Sequence, residues 1–165
     1  MGVLLTEKEG GPRVPSELAE ILLVAGVILA FGFWEHFPMI VPNHYTDIAS
    51  IFWREGIGKG RHGIPYYDYV FEYPVIVGFF TYVSSYFGRA MSGDFSIAMA
   101  FYSLAMNLVL IAFALGTVVV VYKLCELLGV DKKRMFLYFL VTPTFIMFTI
   151  YNWDIFAIFF STLSI

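Results

Sequence analysis

Long apolar stretches separated by short polar segments form the main pattern of this chain. No charged residue occurs from Ile97 to Tyr122, and a stretch of that length fits a helix that crosses a membrane. Three more apolar stretches lie at about 18–36, 135–151 and 153–165. The pattern therefore predicts an all-α polytopic membrane protein with four spans, at about 18–36, 97–123, 135–151 and from 153 onward. A very apolar core helix of a soluble protein is the alternative for the longest stretch.

The first predicted span follows a short polar lead. Ser16 is suited to cap the free amide groups of a helix, and Glu17 suits its positive end. A cleaved signal peptide is the alternative, although no small-residue cleavage pattern follows the apolar stretch. The chain ends inside an apolar run with no cap or stop signal, so we expect 1–165 to be one membrane domain, the N-terminal part of a larger one. We do not expect this part to be active alone.

Residues 37–96 are predicted to form a long first outer loop. Its first half is too polar for hydrocarbon, is interrupted by glycines and has one short helix-forming piece, 47–54. The segment 69–88 is apolar but contains Glu72, Pro74 and several tyrosines, so it either spans the membrane or lies along its surface as an interfacial or re-entrant segment. We expect the second arrangement, because it places six of the ten basic residues on the cytoplasmic side with the N-terminus. It also places Asp47 and Asp154 on the same, non-cytoplasmic face.

Composition supports a membrane protein and excludes some functions. The chain is 59% hydrophobic and 14% charged, against about a quarter charged in soluble domains. The formal net charge of −3 comes with no basic stripe, so nucleic acid is not an expected partner. The single cysteine, Cys125, excludes an internal disulfide and a cysteine metal cluster.

The first outer loop carries the candidate chemistry. Asp47, beside Tyr45 and Thr46, is a candidate general base at the boundary between lipid and water. The alternative is a solvated loop aspartate that caps a short helix. A glycine-spaced basic segment follows, and its cations suit either a phosphate group or lipid headgroups. It contains Arg54, Lys59, Arg61 and His62.

Aromatic and acidic residues complete the candidate site. The tyrosines in 66–73 suit packing against sugars, but they also fit an interfacial belt. Asn152 and Asp154 lie at the exit of a predicted span, where Asp154 is either functional or a helix cap. His36 and His44 lack tight ligand spacing, so no metal site is expected. The candidate binding residues are Arg54, Lys59, Arg61, Tyr66, Tyr67, Glu72, Tyr73, Asn152 and Asp154.

The order of these pieces resembles the first outer loop of GT-C glycosyltransferases. A first span is followed by Tyr45-Thr46-Asp47-Ile48, an aromatic and basic stretch, and PYYDYVFEYP at 65–74. The similarity is greatest to the catalytic subunit of the GPI mannosyltransferase and to polyprenyl-phosphate-mannose-dependent mannosyltransferases. The GPI enzyme's loop reads like YTDID, whereas Ala49 stands here in place of the second acid, so Asp47 is left alone as candidate base.

The resemblance implies an integral membrane hexosyltransferase with GT-C-like helices. It would move a sugar from a polyprenyl phosphate to a lipid or glycan acceptor on the extracytoplasmic or lumenal side, and mannose is the first candidate for that sugar. Asp47 would deprotonate the acceptor, cations at 54–61 would stabilise the departing phosphate, and 69–88 would line the lipid groove. The polyprenyl-phosphate sugar is a substrate, and no cofactor is implied.

Two other functions remain open from the sequence. One is a non-catalytic membrane subunit or transporter fragment whose outer loop binds a partner or lipid. The other is an oligosaccharide ligase that uses similar lipids. The longest span has few polar groups, namely Ser103, Asn107 and Thr117, so a solute pathway through it is poorly supported.

Overall fold

A computed structural model describes residues 15–41, 45–59 and 63–165 of the chain. Its regular elements are helices, and no strand occurs in these ranges. They are α1 (Ser16–His36), α2 (Asp47–Arg54), a 3-10 turn (Ile57–Lys59), α3 (Val75–Met91), α4 (Phe95–Leu128), α5 (Lys132–Met135), a π-helical turn (Phe136–Leu140), α6 (Pro143–Phe148) and α7 (Asp154–Leu163).

Two helices, α1 and α4, are long and apolar enough to cross a membrane. Their bounds contain the predicted spans 18–36 and 97–123. The 34 residues of α4 extend about 50 Å at about 1.5 Å per residue, which exceeds the hydrocarbon core of about 30 Å. If α4 crosses a bilayer, one of its ends therefore projects beyond the hydrocarbon.

The predicted span 135–151 is not one helix. α5 and its π-helical turn end at Leu140, and α6 begins at Pro143. Thr142 joins the two pieces, because its hydroxyl donates to the carbonyl of Phe139 (2.8 Å) and accepts from the amide of Phe145 (3.3 Å). Proline has no amide hydrogen to continue the preceding helix, and it is favoured in a first turn. The last predicted span, 153–165, is the short helix α7.

The segment 69–88 is also divided. Its first residues are not helical, and α3 begins only after Pro74. Small residues are buried along α3, namely Gly78, Thr81, Ser84, Ser85 and Gly88. At Gly88 a β-carbon would lie 2.5 Å from the carbonyl oxygen of Ala98. Small residues thus allow the backbones of α3 and α4 to approach closely, as is common between membrane helices.

Charged and polar contacts fix the two ends of α1. At its first turn, the Lys132 ammonium lies 2.7 Å from Glu17 and donates to the Tyr122 hydroxyl at 2.9 Å. The start of α1 is therefore beside the end of α4. At the last turn of α1, His36 Nε2 donates to the carbonyl of Met147 (3.2 Å). Its ring also meets the ring of Tyr151 edge-on, with centroids 5.4 Å apart.

Stacked phenylalanines hold α7 against α3 and α4. Phe156 stacks on Phe80 of α3, with ring centroids 5.5 Å apart, and meets Phe113 of α4 at 4.7 Å. Further along, Phe159 packs against Gly116. α7 therefore runs in the same direction as α4, and its first residue, Asp154, lies near the start of α3.

The contact at Gly88 gives a stability prediction. Gly88→Ala should lower the free energy of unfolding by about 1–3 kcal/mol, because the new methyl group overpacks a backbone contact. Gly26→Ala in α1 is the matched control, since a β-carbon added there would meet nothing within 4 Å. The higher helix propensity of alanine should leave the stability of this variant equal or slightly higher. Reversible unfolding in detergent, followed by circular dichroism, measures both. Equal stability of the two variants would contradict the close approach.

Candidate functional site

The first turn of α2 positions Asp47. Thr46 caps the helix, accepting a hydrogen bond from the amide of Ala49 at 3.1 Å. The amide of Asp47 donates to the carbonyl of Tyr151 (3.2 Å), which ties α2 to the segment before α7. The Tyr45 hydroxyl donates to Asp47 Oδ1 at 2.9 Å. The Asp47 carboxylate is thus half-buried and oriented, and the cap of the helix is Thr46 instead of Asp47.

Asp154 is held by its neighbour Asn152. The Asn152 amide group donates to Asp154 Oδ2 at 2.9 Å, and Asn152 Oδ1 accepts from the amide of Asp154 at 3.1 Å. Between them, Trp153 is buried, and its ring lies 5.8 Å from the ring of Tyr73. This compact turn therefore presents a carboxylate and an amide at the start of α7 while an aromatic pair anchors it.

These segments meet around one cavity of about 340 Å³. Four residues predicted from the sequence line it: Asp47, Tyr73, Asn152 and Asp154. The remainder of the wall comes from Pro74, Ile76, Val77, Trp153, Phe156, Ala157 and Phe160. Within the part of the chain that the structure describes, the wall therefore combines two carboxylates, an amide and aromatic rings with no cation.

Tyr66 fixes the wall that carries Tyr73. Its hydroxyl donates to the backbone carbonyls of Tyr73 and Pro74, the latter at 2.7 Å. The Tyr66 backbone has a φ of +68°, which is rare for a residue with a side chain. Its ring also packs on Gly78, where a β-carbon would collide with it. Tyr66 thus supports the cavity wall without lining the cavity. Tyr67 is 86% exposed and does not line it either.

None of the predicted cations lines the cavity in the part of the chain that the structure describes. Arg54 Nη2 is 2.7 Å from Glu72, and Arg54 Nε is 3.2 Å from Glu55. Burial alone would lower the pKa of Arg54, but the hydrogen bonds with the two glutamates raise it. Lys59 lies over the ring of Trp53, with its ammonium 5.5 Å from the ring centroid. Arg61 is outside the described residues.

The sequence reasoning missed most of the apolar wall and Trp153. The helical spacing of Trp153, Phe156, Ala157 and Phe160 was the available signal, because these positions share one face of α7. It also missed a second cavity of about 140 Å³ between the π-helical turn, α6 and α7. Asn152 and Asp154 line both cavities.

Metal ligands do not gather in the described part of the chain, where no group of three or more His, Cys, Asp or Glu side chains is suitably placed. His36 instead belongs to the contacts of α1 with Met147 and Tyr151. His44 and His62 lie outside the described residues.

Comparisons with protein-family models, curated proteins and solved structures found no match to this chain.

The electrostatics of the cavity give a titration prediction. Burial raises the pKa of Tyr73, and the nearby charges of Asp47 and Glu72 raise it further. Asp47→Asn should therefore lower the pKa of Tyr73, which stays above its ordinary value because burial remains. An NMR titration of protein with ¹³C-labelled tyrosine in detergent measures this. Asp131→Asn, at the distant cap of α5, is the control and should leave the pKa of Tyr73 unchanged. If Asp47→Asn left the pKa of Tyr73 unchanged, an electrostatic interaction between the two side chains would be contradicted.

Proposed function

We propose that this protein is a membrane-embedded glycosyltransferase that moves a hexose from a polyprenyl phosphate to a hydroxyl group of a lipid or glycan acceptor. The observation that carries the proposal is the half-buried carboxylate of Asp47, which lies in the YTDI segment and faces the cavity lined by Asp154, Asn152 and Tyr73. Mannose is the first candidate sugar, from the resemblance of residues 45–74 to GT-C mannosyltransferases.

The proposed reaction assigns one proton transfer to Asp47. The acceptor oxygen attacks the anomeric carbon of the sugar while the bond from that carbon to the phosphate oxygen breaks. The bonding electrons leave with the polyprenyl phosphate, and the carboxylate of Asp47 takes the acceptor's proton. Tyr45 supports this role because its hydroxyl donates to Asp47 Oδ1 and so orients the carboxylate.

The charge distribution suits a neutral acceptor in the cavity and a phosphate outside it. Carboxylates accept hydrogen bonds from sugar hydroxyls, and aromatic rings such as Tyr73 and Trp153 pack against sugar rings. A phosphate would be repelled by two carboxylates. Arg54, next to Tyr73, and the loop cations Lys59 and Arg61 are the groups proposed to stabilise it.

The basic residues support an orientation with the cavity on the non-cytoplasmic side. Lys123, Lys132, Lys133 and Arg134 lie at or just after the end of α4, beside the start of α1. The cavity is instead near the last turn of α1, through the contacts of Tyr151 with His36 and Asp47. Under the positive-inside rule the basic end is cytoplasmic.

The decisive experiment is sugar transfer by the full-length protein, purified and reconstituted in membranes. Radiolabelled polyprenyl-phosphate-mannose serves as donor, and a lipid extract of the source membrane serves as acceptor. Asp47→Asn should reduce transfer by about 10²–10⁴-fold, which is the usual contribution of a general base, without reducing the amount of inserted protein. Asp131→Asn, which keeps a capping side chain far from the cavity, should transfer normally. Equal transfer by the Asp47 variant and the native protein would reject Asp47 as the base.

A further inference from the structure

An exposed ion pair joins α2 to the wall of the cavity. Arg54, the last residue of α2, has Nη2 2.7 Å from Glu72 Oε1, and the two side chains are 44% and 60% exposed. Glu72 directly precedes Tyr73, which lines the cavity. The pair therefore lies beside the cavity wall, next to Tyr73.

The guanidinium of Arg54 has a second carboxylate partner and an aromatic neighbour. Its Nε lies 3.2 Å from Glu55, whose side chain is only 14% exposed. Its central carbon lies 5.8 Å from the centroid of the Tyr73 ring, within cation–π range. Glu55 and Tyr73 thus orient Arg54, and the edge that bears Nη2 faces Glu72.

The residues on both sides of Glu72 are held in place, whereas the side chain of Glu72 is exposed. On one side, Phe71 is buried at 5% exposure. On the other, the hydroxyl of Tyr66 holds the carbonyl of Pro74 at 2.7 Å. The carboxylate of Glu72 can therefore leave Arg54 by side-chain rotation alone, without moving the wall of the cavity. Exposed ion pairs of this kind add little to stability.

We propose that Glu72 occupies, in the free protein, the place on Arg54 that the phosphate of a polyprenyl-phosphate sugar takes on binding. This inference rests on the proposed function, and it changes the predicted role of Glu72 from a binding residue to a built-in competitor. The N–H groups of arginine donate charge-assisted hydrogen bonds to carboxylate and to phosphate oxygens alike. The donor phosphate must therefore displace Glu72 to reach Arg54.

The competition sets how tightly the donor binds. A phosphate that gains Arg54 does so at the cost of the contact between Arg54 and Glu72, so the apparent affinity is lower than Arg54 alone would give. Removing the charge of Glu72 should strengthen phosphate binding. A residue with a merely structural role would have the opposite effect, because its loss would loosen the site.

The test measures equilibrium binding of radiolabelled polyprenyl phosphate, without sugar, to the purified protein in detergent. Glu72→Gln should lower the Kd by up to about five-fold, the upper end of the range for one exposed ion pair. Glu126→Gln is the matched control, because it also removes the carboxylate of an exposed ion pair, here with Lys123 at 2.8 Å, but at the far end of α4. It should leave the Kd unchanged.

Arg54 variants complete the test. Arg54→Gln should raise the Kd at least about ten-fold, the scale of a charge-assisted hydrogen bond. In that background Glu72→Gln should have no effect, since the two substitutions act on one contact. If Arg54→Gln does not fold, Arg54→Lys replaces it. The charge remains but the planar guanidinium donors are lost, so the Kd of this variant for polyprenyl phosphate should also rise.

Two results would overturn the inference, and they differ in what else they reject. If the native protein binds polyprenyl phosphate and Glu72→Gln binds it equally or less tightly, the competitor role fails and the proposed function stands. If neither protein binds polyprenyl phosphate and the native protein transfers no sugar, the inference and the proposed function both fail.

Discussion

One backbone hydrogen bond, from the amide of Asp47 to the carbonyl of Tyr151 at 3.2 Å, brings together the two segments that make the cavity. Each segment is ordered locally, the first by the cap at Thr46 and the second by the turn at Asn152. A turn or a cap alone would leave each acid at a separate helix end. The contact between them instead places the carboxylates of Asp47 and Asp154 on one cavity, and every chemical role discussed above depends on that convergence.

Charge is distributed unevenly around this convergence. The acids that line the cavity are Asp47 and Asp154, whereas Arg54, beside Tyr73, is outside the wall and already shared between Glu55 and Glu72. Such an arrangement favours a neutral, hydroxyl-bearing group within the cavity and an anionic group at its rim. A lipid-linked sugar phosphate and a hydroxyl acceptor together have this pair of properties, which is why the geometry and the resemblance of residues 45–74 lead to the same proposal.

The sequence predicted the helices that depend on composition but not the breaks that depend on neighbours. Continuous apolarity predicted α1 and α4, and the short helix at 47–54 followed from its residues. Pro143 is a helix-breaking residue within the predicted span 135–151. The division of that span depends in addition on hydrogen bonds of Thr142 that only the fold reveals. The distribution of basic residues predicted that Asp47 and Asp154 lie on the same face. The ion pair of Arg54 with Glu72 could not be predicted, since the two residues lie 18 positions apart in a segment with no regular repeat.

The most direct test of the account is whether positions 47 and 154 face the same compartment. Single cysteines replace Asp47 and Asp154 in a Cys125→Ala background, and sealed vesicles of either orientation are treated with a membrane-impermeant maleimide. We expect both positions to be labelled from the same, non-cytoplasmic side. In the double variant, a short bifunctional maleimide should link the two cysteines across the cavity. Labelling of the two positions from opposite sides would contradict a shared cavity and, with it, the proposed chemistry.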